Sequence, residues 1–317
     1  MRKSCLCVKK KYGKLSSKMK YNWSIIGHEK QLELLEKDVN SGVLSHAYLL
    51  AGPNSVGKHT VAKKLAGILQ CKNDFCHKCP TCKQIEAGSQ IDTIELRDNG
   101  ESIKIEDTRK IIERCNMTGQ SNYKIFLIQG IERMTPEAAN SFLKVLEEPP
   151  GKTVFVLTTN SLRGLLPTIV SRVRVVNFHH VSSKYLETKL KSLYPDRDEK
   201  TIKQVGVFSL GKTGKAIHLM ENPESLAQYF EIYHDVQNFL ERKSVVDRFS
   251  YVDEIKEDKK QTELFLNILM HVLRSRILEG REVERCLNTL SKIEETGILL
   301  KKNINTRLAL ENLMLII

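Results

Sequence analysis

The sequence predicts an α/β domain built on a parallel sheet, followed by an all-helical remainder. Short apolar bursts of strand length recur at Tyr48-Leu49-Leu50, Ile91 to Leu96, Ile125-Phe126-Leu127-Ile128 and Val154-Phe155-Val156-Leu157, and each reads as a buried strand. Amphipathic helical stretches lie between them, and strands that alternate with helices form βαβ units with a parallel sheet. Beyond Val181 strand signals fade, while Leu226, Tyr229, Phe230, Tyr233, Val236 and Leu240 keep a helical spacing.

The chain starts with a basic leader. Residues 1–20 hold eight cations and no acid, since the first acidic residue is Glu29; such a segment is expected to be a disordered arm, and Met19 offers an internal start. The leader changes the meaning of the net charge. Fifty Lys+Arg against 38 Asp+Glu give +12 over 317 residues, but residues 21–317 carry 42 against 38, or +4. A folded part at +4 needs no dedicated basic face for nucleic acid. A composition of 41% apolar and 28% charged residues excludes collagenous and wholly disordered chains. No apolar run reaches the roughly 18 residues of a membrane span, and the leader lacks the apolar stretch of a secretory signal. A cytoplasmic protein with no membrane partner is therefore expected. Asn222-Pro223 breaks the helical part. The expected layout is a leader over 1–20, an α/β domain over 21–178, a short helical unit over 179–222 and a larger helical domain over 223–317.

Gly52-Pro53-Asn54-Ser55-Val56-Gly57-Lys58-His59-Thr60 follows the first expected strand and opens an expected helix, Val61 to Leu69, which is the context of a Walker A phosphate loop. Gly52 and Gly57 let backbone N–H groups turn toward phosphate oxygens, the helix N-terminus adds partial positive charge, and Lys58 would reach the β/γ-phosphates. His59 departs from the pattern. A Ser or Thr hydroxyl ligates Mg²⁺ at that position, and an imidazole nitrogen suits a hard cation poorly. Thr60, one position later, is expected to point elsewhere. The strand Ile125 to Ile128 should end in Asp for the metal and then Glu for the attacking water, yet it runs into Gln129-Gly130. Phosphoryl transfer is mostly positioning and charge neutralisation. Gly52, Gly57, Lys58 and His59 thus read as a relic loop that holds ATP or ADP weakly or not at all and does not turn it over.

Cys71-x4-Cys76-x2-Cys79-x2-Cys82 has the spacing of one tetrahedral Zn²⁺ site. Four thiolates leave no open position, so the expected metal is structural and His77 is not needed as a ligand. Cys5, Cys7, Cys115 and Cys286 are scattered, and the last two read as core filler.

These features together resemble the clamp-loader branch of the AAA+ ATPases, on the side of the delta-prime subunits of bacterial DNA polymerase III. Ser45-His46-Ala47-Tyr48-Leu49-Leu50 leads into the loop as in that family, and the four-cysteine insertion follows. Then comes the specific run Glu132-Arg133-Met134-Thr135-Pro136-Glu137-Ala138-Ala139-Asn140-Ser141-Phe142-Leu143-Lys144-Val145-Leu146-Glu147-Glu148-Pro149-Pro150. Its local chemistry is also clear: Thr135 is an N-cap, Pro136 sits at N1, and Pro149 stops the helix. Leu166-Pro167-Thr168-Ile169-Val170-Ser171-Arg172 resembles the family's Ser-Arg-Cys segment, with Val173 in place of the cysteine. Asn305-Thr306-Arg307-Leu308-Ala309-Leu310-Glu311 resembles the closing helix of the family's ring-forming collar.

The resemblance implies a RecA-like AAA+ domain with a zinc module, a small helical lid and a helical collar. It implies that Arg172, with Ser171, acts in trans on the ATP of a neighbouring subunit. The implied partners are gamma/tau motor subunits and a delta subunit in a hetero-pentamer, the sliding clamp, and primer-template DNA reached through the complex. A sensor-2 arginine is missing from Gly211-Lys212-Thr213-Gly214-Lys215-Ala216, and a sensor-1 residue lies among Thr158, Thr159 and Asn160. The expected protein is a component of the polymerase holoenzyme with no catalysis of its own. Two alternatives stand beside it: an ATP-hydrolysing gamma/tau-type motor subunit, and a zinc-containing DNA-binding module.

Overall fold

The computed structural model describes residues 19–241, 244–302 and 304–317. The expected leader lies outside these residues except for Met19 and Lys20, as do Cys5 and Cys7. Met19 packs against the edge of the core, and the Lys20 backbone N–H donates to Glu36. No helix among the described residues is long and apolar enough to cross a membrane. The chain divides into two compact units between Ile217 and His218.

The first unit runs α1 (Glu29–Ser41), β1 (Ala47–Ala51), α2 (Lys58–Gln70), α3 (Pro80–Ala87), β2 (Thr93–Leu96), α4 (Ile105–Asn116), β3 (Lys124–Ile128), α5 (Pro136–Glu147), β4 (Thr153–Thr159), α6 (Pro167–Val170), β5 (Arg174–Asn177), α7 (Ser183–Leu193) and α8 (Glu199–Phe208). Helix α9 (Thr213–Glu221) begins in it. The five strands form one sheet in the order β2-β3-β4-β1-β5, and every pairing is parallel. Helices cover both faces, so β1 and β4 are buried along their whole length, as expected for a parallel sheet. One core joins the sheet to the α1, α2 and α3 side through Leu35, Tyr48, Leu65, Ile85 and Val156. The other joins it to α4 and α5 through Ile111, Phe126, Phe142 and Phe155.

Three expectations need adjusting. The second strand starts at Thr93, because Ile91 is 65% exposed and the Asp92 carboxylate turns away to accept from the Gln120 and Ser121 amides. The helix after the phosphate loop starts at Lys58, three residues before Val61. A fifth strand, β5, pairs with β1 where none was read. The helical run is as expected: Thr135 Oγ1 accepts from the Ala138 N–H, Pro136 opens α5, and α5 ends at Glu147 before Pro149-Pro150.

The second unit continues with α10 (Pro223–Glu241), α11 (Val245–Ile255), α12 (Lys259–Leu278), α13 (Val283–Lys301) and α14 (Thr306–Met314). Ile232, Val236, Val252, Phe265, Leu269, Ile293 and Leu310 form its core. Arg248 is buried there and donates to the carbonyls of Met314 and Phe239, which ties two helix ends together. Asn305 caps α14 by accepting from the Arg307 and Leu308 amides.

Candidate functional site

Strand β1 neighbours β4 on one side and β5 on the other, so the chain crossing over from it leaves a crevice at the strands' C-terminal ends, where α/β sheets hold ligands. The phosphate loop fills that crevice. Gly52 has φ 148°, and a Cβ there would meet the Phe178 carbonyl oxygen at 2.2 Å, so no side chain fits. The loop and its surroundings enclose a cavity of about 290 Å³ lined by Asn54, Ser55, Lys58, Thr60, Asp98 and Asn160, among others. Thr60 is also among the residues around the cavity.

Lys58 is 7% exposed. Its ammonium donates to the Gly52 carbonyl, to the Pro53 carbonyl at 2.6 Å and to Asn160 Oδ1 at 3.2 Å, which uses all three of its N–H bonds. Burial lowers its pKa to about 8, against the opposing pull of Glu132. Of the three sensor-1 candidates, Asn160 reaches Lys58, whereas Thr158 accepts from the Gly130 N–H and Thr159 donates to the Ser161 carbonyl. Glu132, which the sequence left without a role, holds Asn160 in place by accepting its backbone N–H at 3.1 Å. The start of α9 also touches the loop: Gly214 N–H donates to the Ser55 carbonyl at 2.8 Å and Thr213 Oγ1 to the Val56 carbonyl at 3.1 Å.

At the end of β3, Gln129 Nε2 lies 2.9 Å from His59 Nδ1 and 3.3 Å from Glu95 Oε1, and His59 Nε2 lies 3.0 Å from Glu95 Oε1. Burial lowers the His59 pKa, with Glu95 opposing. Glu95 stands on β2, beside β3, and its carboxylate is only 6% exposed. Lys63 and Arg97 also contact it, at 3.4 and 3.2 Å.

Arg172 lies elsewhere on the same unit, just after α6. Its Nε donates to Glu147 Oε1 at 2.7 Å, its Nη2 pairs with the same carboxylate, and its Nη1 donates to the Thr168 carbonyl and to Ser171 Oγ. His46 meets the Arg172 backbone carbonyl at 3.1 Å. The guanidinium remains 34% exposed.

The four cysteines meet in space. Cys71 Sγ is 3.8 Å from both Cys76 Sγ and Cys79 Sγ, Cys76 Sγ is 4.0 Å from Cys82 Sγ, and all four lie within 4.8 Å of one another. Metal–sulfur bonds of about 2.3 Å in a tetrahedron give sulfur–sulfur edges of about 3.8 Å. This quartet can hold a metal ion. The Lys78 and Cys79 backbone N–H groups lower the Cys76 pKa to about 6, in the direction a ligating thiolate needs. His77 turns to Glu86 at 2.6 Å. Phe75 plugs the module against α2, where a Cβ on Gly67 would meet its ring at 2.2 Å.

Comparison with known proteins decides the family. The DNA polymerase III gamma subunit of Buchnera aphidicola subsp. Acyrthosiphon pisum (strain APS) is 31% identical over 257 residues, covering 78% of this chain and 71% of that protein. The chain belongs to the DNA polymerase III clamp-loader subunit family. Residues 27–182 also match the family described as "DNA polymerase III, delta subunit". The delta' subunit of Bacillus subtilis (strain 168) is 36% identical over 163 residues, half of this chain and half of its own length. Among solved structures, a gamma subunit-related protein from Thermotoga maritima aligns over 90% of this chain and 97% of its own at 23% identity and TM-score 0.54, a likeness of fold.

Proposed function

We propose that this clamp-loader chain is a delta-prime-type, non-catalytic subunit of DNA polymerase III that offers Arg172, oriented by Ser171, to the ATP of an adjacent motor subunit. The observation that carries this reading is the end of β3, where Gln129-Gly130 stand in place of both carboxylates, so that the loop beside them lacks a metal ligand and a base. In this role the chain joins gamma/tau motors and a delta subunit in a cytoplasmic hetero-pentamer that loads the sliding clamp on primed DNA. The cysteine quartet holds a structural Zn²⁺, which cross-links the segment between α2 and α3 and takes no part in chemistry. Lys58, Asn160, Gly52 and Gly57 frame a loop that retains phosphate-binding geometry without turnover.

A gamma-type motor is the second reading, favoured by the extent of the Buchnera relative and by Asp98, whose carboxylate reaches within 3.1 Å of where a side chain on Gly130 would begin. Arg133 neutralises that carboxylate at 2.7 Å, which argues against its serving as a base. ATP hydrolysis by the purified chain separates the two. The non-catalytic reading expects a rate at the buffer background, and steady turnover that a Lys58→Ala substitution abolishes would overturn it.

A further inference from the structure

Nucleotide loops of this fold work with Mg²⁺, a small hard cation that demands near-octahedral oxygen ligands at about 2.0–2.1 Å. The residues present do not fit that ion, and the contacts around them show why. A carboxylate only accepts, so the atom of Gln129 that faces Glu95 Oε1 must be its amide nitrogen. That nitrogen also lies 2.9 Å from His59 Nδ1 and 3.5 Å from His59 Nε2. His59 Nε2 in turn lies 3.0 Å from Glu95 Oε1, so the imidazole is wedged between the amide and the carboxylate. Both imidazole nitrogens face groups of the chain itself, and an imidazole suits a hard cation poorly in any case.

Glu95 is equally committed. Its Oε1 accepts from Gln129 and lies 3.0 and 3.2 Å from His59 Nε2 and Arg97 Nε, and its Oε2 accepts from Arg97 Nη2 and pairs with Lys63 at 3.4 Å. The charge count points the same way. One carboxylate faces two permanent cations beside a neutral imidazole, so the cluster is net positive. Asp98, the acid that lines the cavity, is paired with Arg133. Nothing here recruits a divalent ion, whereas Lys58, the N-terminus of α2 and the surplus charge around Glu95 all favour an anion.

We propose that the loop takes a nucleoside di- or triphosphate free of divalent metal, with the His59–Glu95–Gln129 triad, held by Lys63 and Arg97, standing where the ion would. The inference rests on the non-hydrolytic reading of the loop and adds the ligand's chemical form. Entry of the phosphates requires Lys58 to exchange its carbonyl partners for phosphate oxygens, a swap of acceptors that keeps its three N–H bonds satisfied.

Isothermal titration of the full chain with ADP, once with magnesium chloride and once with EDTA, tests it. The expected result is the same dissociation constant in both, within about twofold. Tightening by magnesium of about tenfold or more overturns the proposal, and so does a titration that shows no ADP binding in either buffer. The double substitution His59→Thr with Gln129→Asp places a hydroxyl and a carboxylate at the metal position. Its ADP affinity is expected to become magnesium-dependent by about tenfold or more, and equal affinity in both buffers removes the triad from its assigned role. Should that variant fail to fold, the wild-type pair of titrations still decides. The two readings fail separately: magnesium-tightened ADP binding without ATP turnover sinks this inference alone, whereas ATP turnover sinks the non-catalytic reading beneath it.

Discussion

The phosphate loop and the Arg172 segment lie on one compact unit and treat charge in opposite ways. At the loop every charged group is answered from within: Lys58 by two carbonyls and Asn160, Glu95 by His59, Lys63 and Arg97. At Arg172 the guanidinium stays one-third exposed and is held by a carboxylate that is itself half exposed. A charge satisfied in a buried network has a large cost of rearrangement, while an exposed pair is worth at most about 1 kcal/mol and exchanges partners readily. The difference teaches that Arg172 can change partners at little cost, as its proposed role requires, whereas at the loop an incoming anion must replace bonds that are already made.

The largest effect expected from breaking this comparison follows from Arg172→Ala in the ring reconstituted with its motor and delta subunits. Arginine fingers in well-studied GTPases are worth about 10³–10⁵ in rate. Where the ring's sites hydrolyse in concert, silencing the one this chain is proposed to serve stalls the others, and a fall of about tenfold or more in DNA-stimulated ATP hydrolysis is expected at unchanged assembly. Ring assembly is read by size exclusion and hydrolysis by phosphate release. An unaltered rate in an intact ring removes the finger assignment and with it the contrast between the two regions.

A smaller effect tests the loop side. The Lys58 pKa falls to about 8 on folding, from an unfolded value near 10.4, because burial disfavours the charged form. Between these values the unfolded chain binds more protons than the folded one, so stability rises with pH from about 8 to about 10.4. Below pH 8 the cost of burying the ammonium is present in full. Lys64 and Lys215 are lowered to about 8 in the same way, so the wild-type rise is shared. Lys58→Met should therefore flatten it by about 1–3 kcal/mol across the window, one pKa unit being about 1.4 kcal/mol. Urea midpoints of both proteins at several pH values measure this. Parallel curves would mean that the ammonium is not held as buried as described.

How much of this could be read from the residues depended on how far apart in sequence the partners stand. Strands β1, β3 and β4 were legible because both faces of a parallel sheet are buried and their residues form continuous apolar runs, whereas the edge strand β2, with Thr93 and Glu95, was read two residues too early. Strand β5, Arg174-Val175-Val176-Asn177, is short, carries two polar residues and pairs on one side only, so it left no such run. The cysteine quartet was legible because its members fall within a dozen residues. The loss of the metal-binding side chains at His59 and Gln129 was legible too, since the loop pattern names those positions. What replaces them was not. Glu95 reaches the site because β2 lies beside β3, and Asn160 because β4 lies beside β3 and β1; adjacency of this kind is fixed by sheet order and has no signature along the chain.

The smallest effect concerns Glu147, at the last turn of α5 before the proline pair that ends it. Through its Nε and Nη2 contacts it fixes the guanidinium plane of Arg172, and Thr168 and Ser171 hold the opposite edge. A planar fork held on two sides loses less freedom when it meets a phosphate. Glu147→Gln keeps the size and one acceptor but removes the charge. Because the pair is exposed, the loss is worth at most about 1 kcal/mol, which is about two- to fivefold in rate. That loss should fall on the kcat of the ring's ATP hydrolysis and leave the KM for ATP alone if Arg172 has the proposed role, which is on the neighbour's reacting phosphate and not on its nucleotide affinity. Glu147→Asp, with the charge kept on a shorter stem, should recover part of the rate. A change confined to KM, or a rise in kcat when the charge is removed, would show that Glu147 restrains the arginine instead of aiming it.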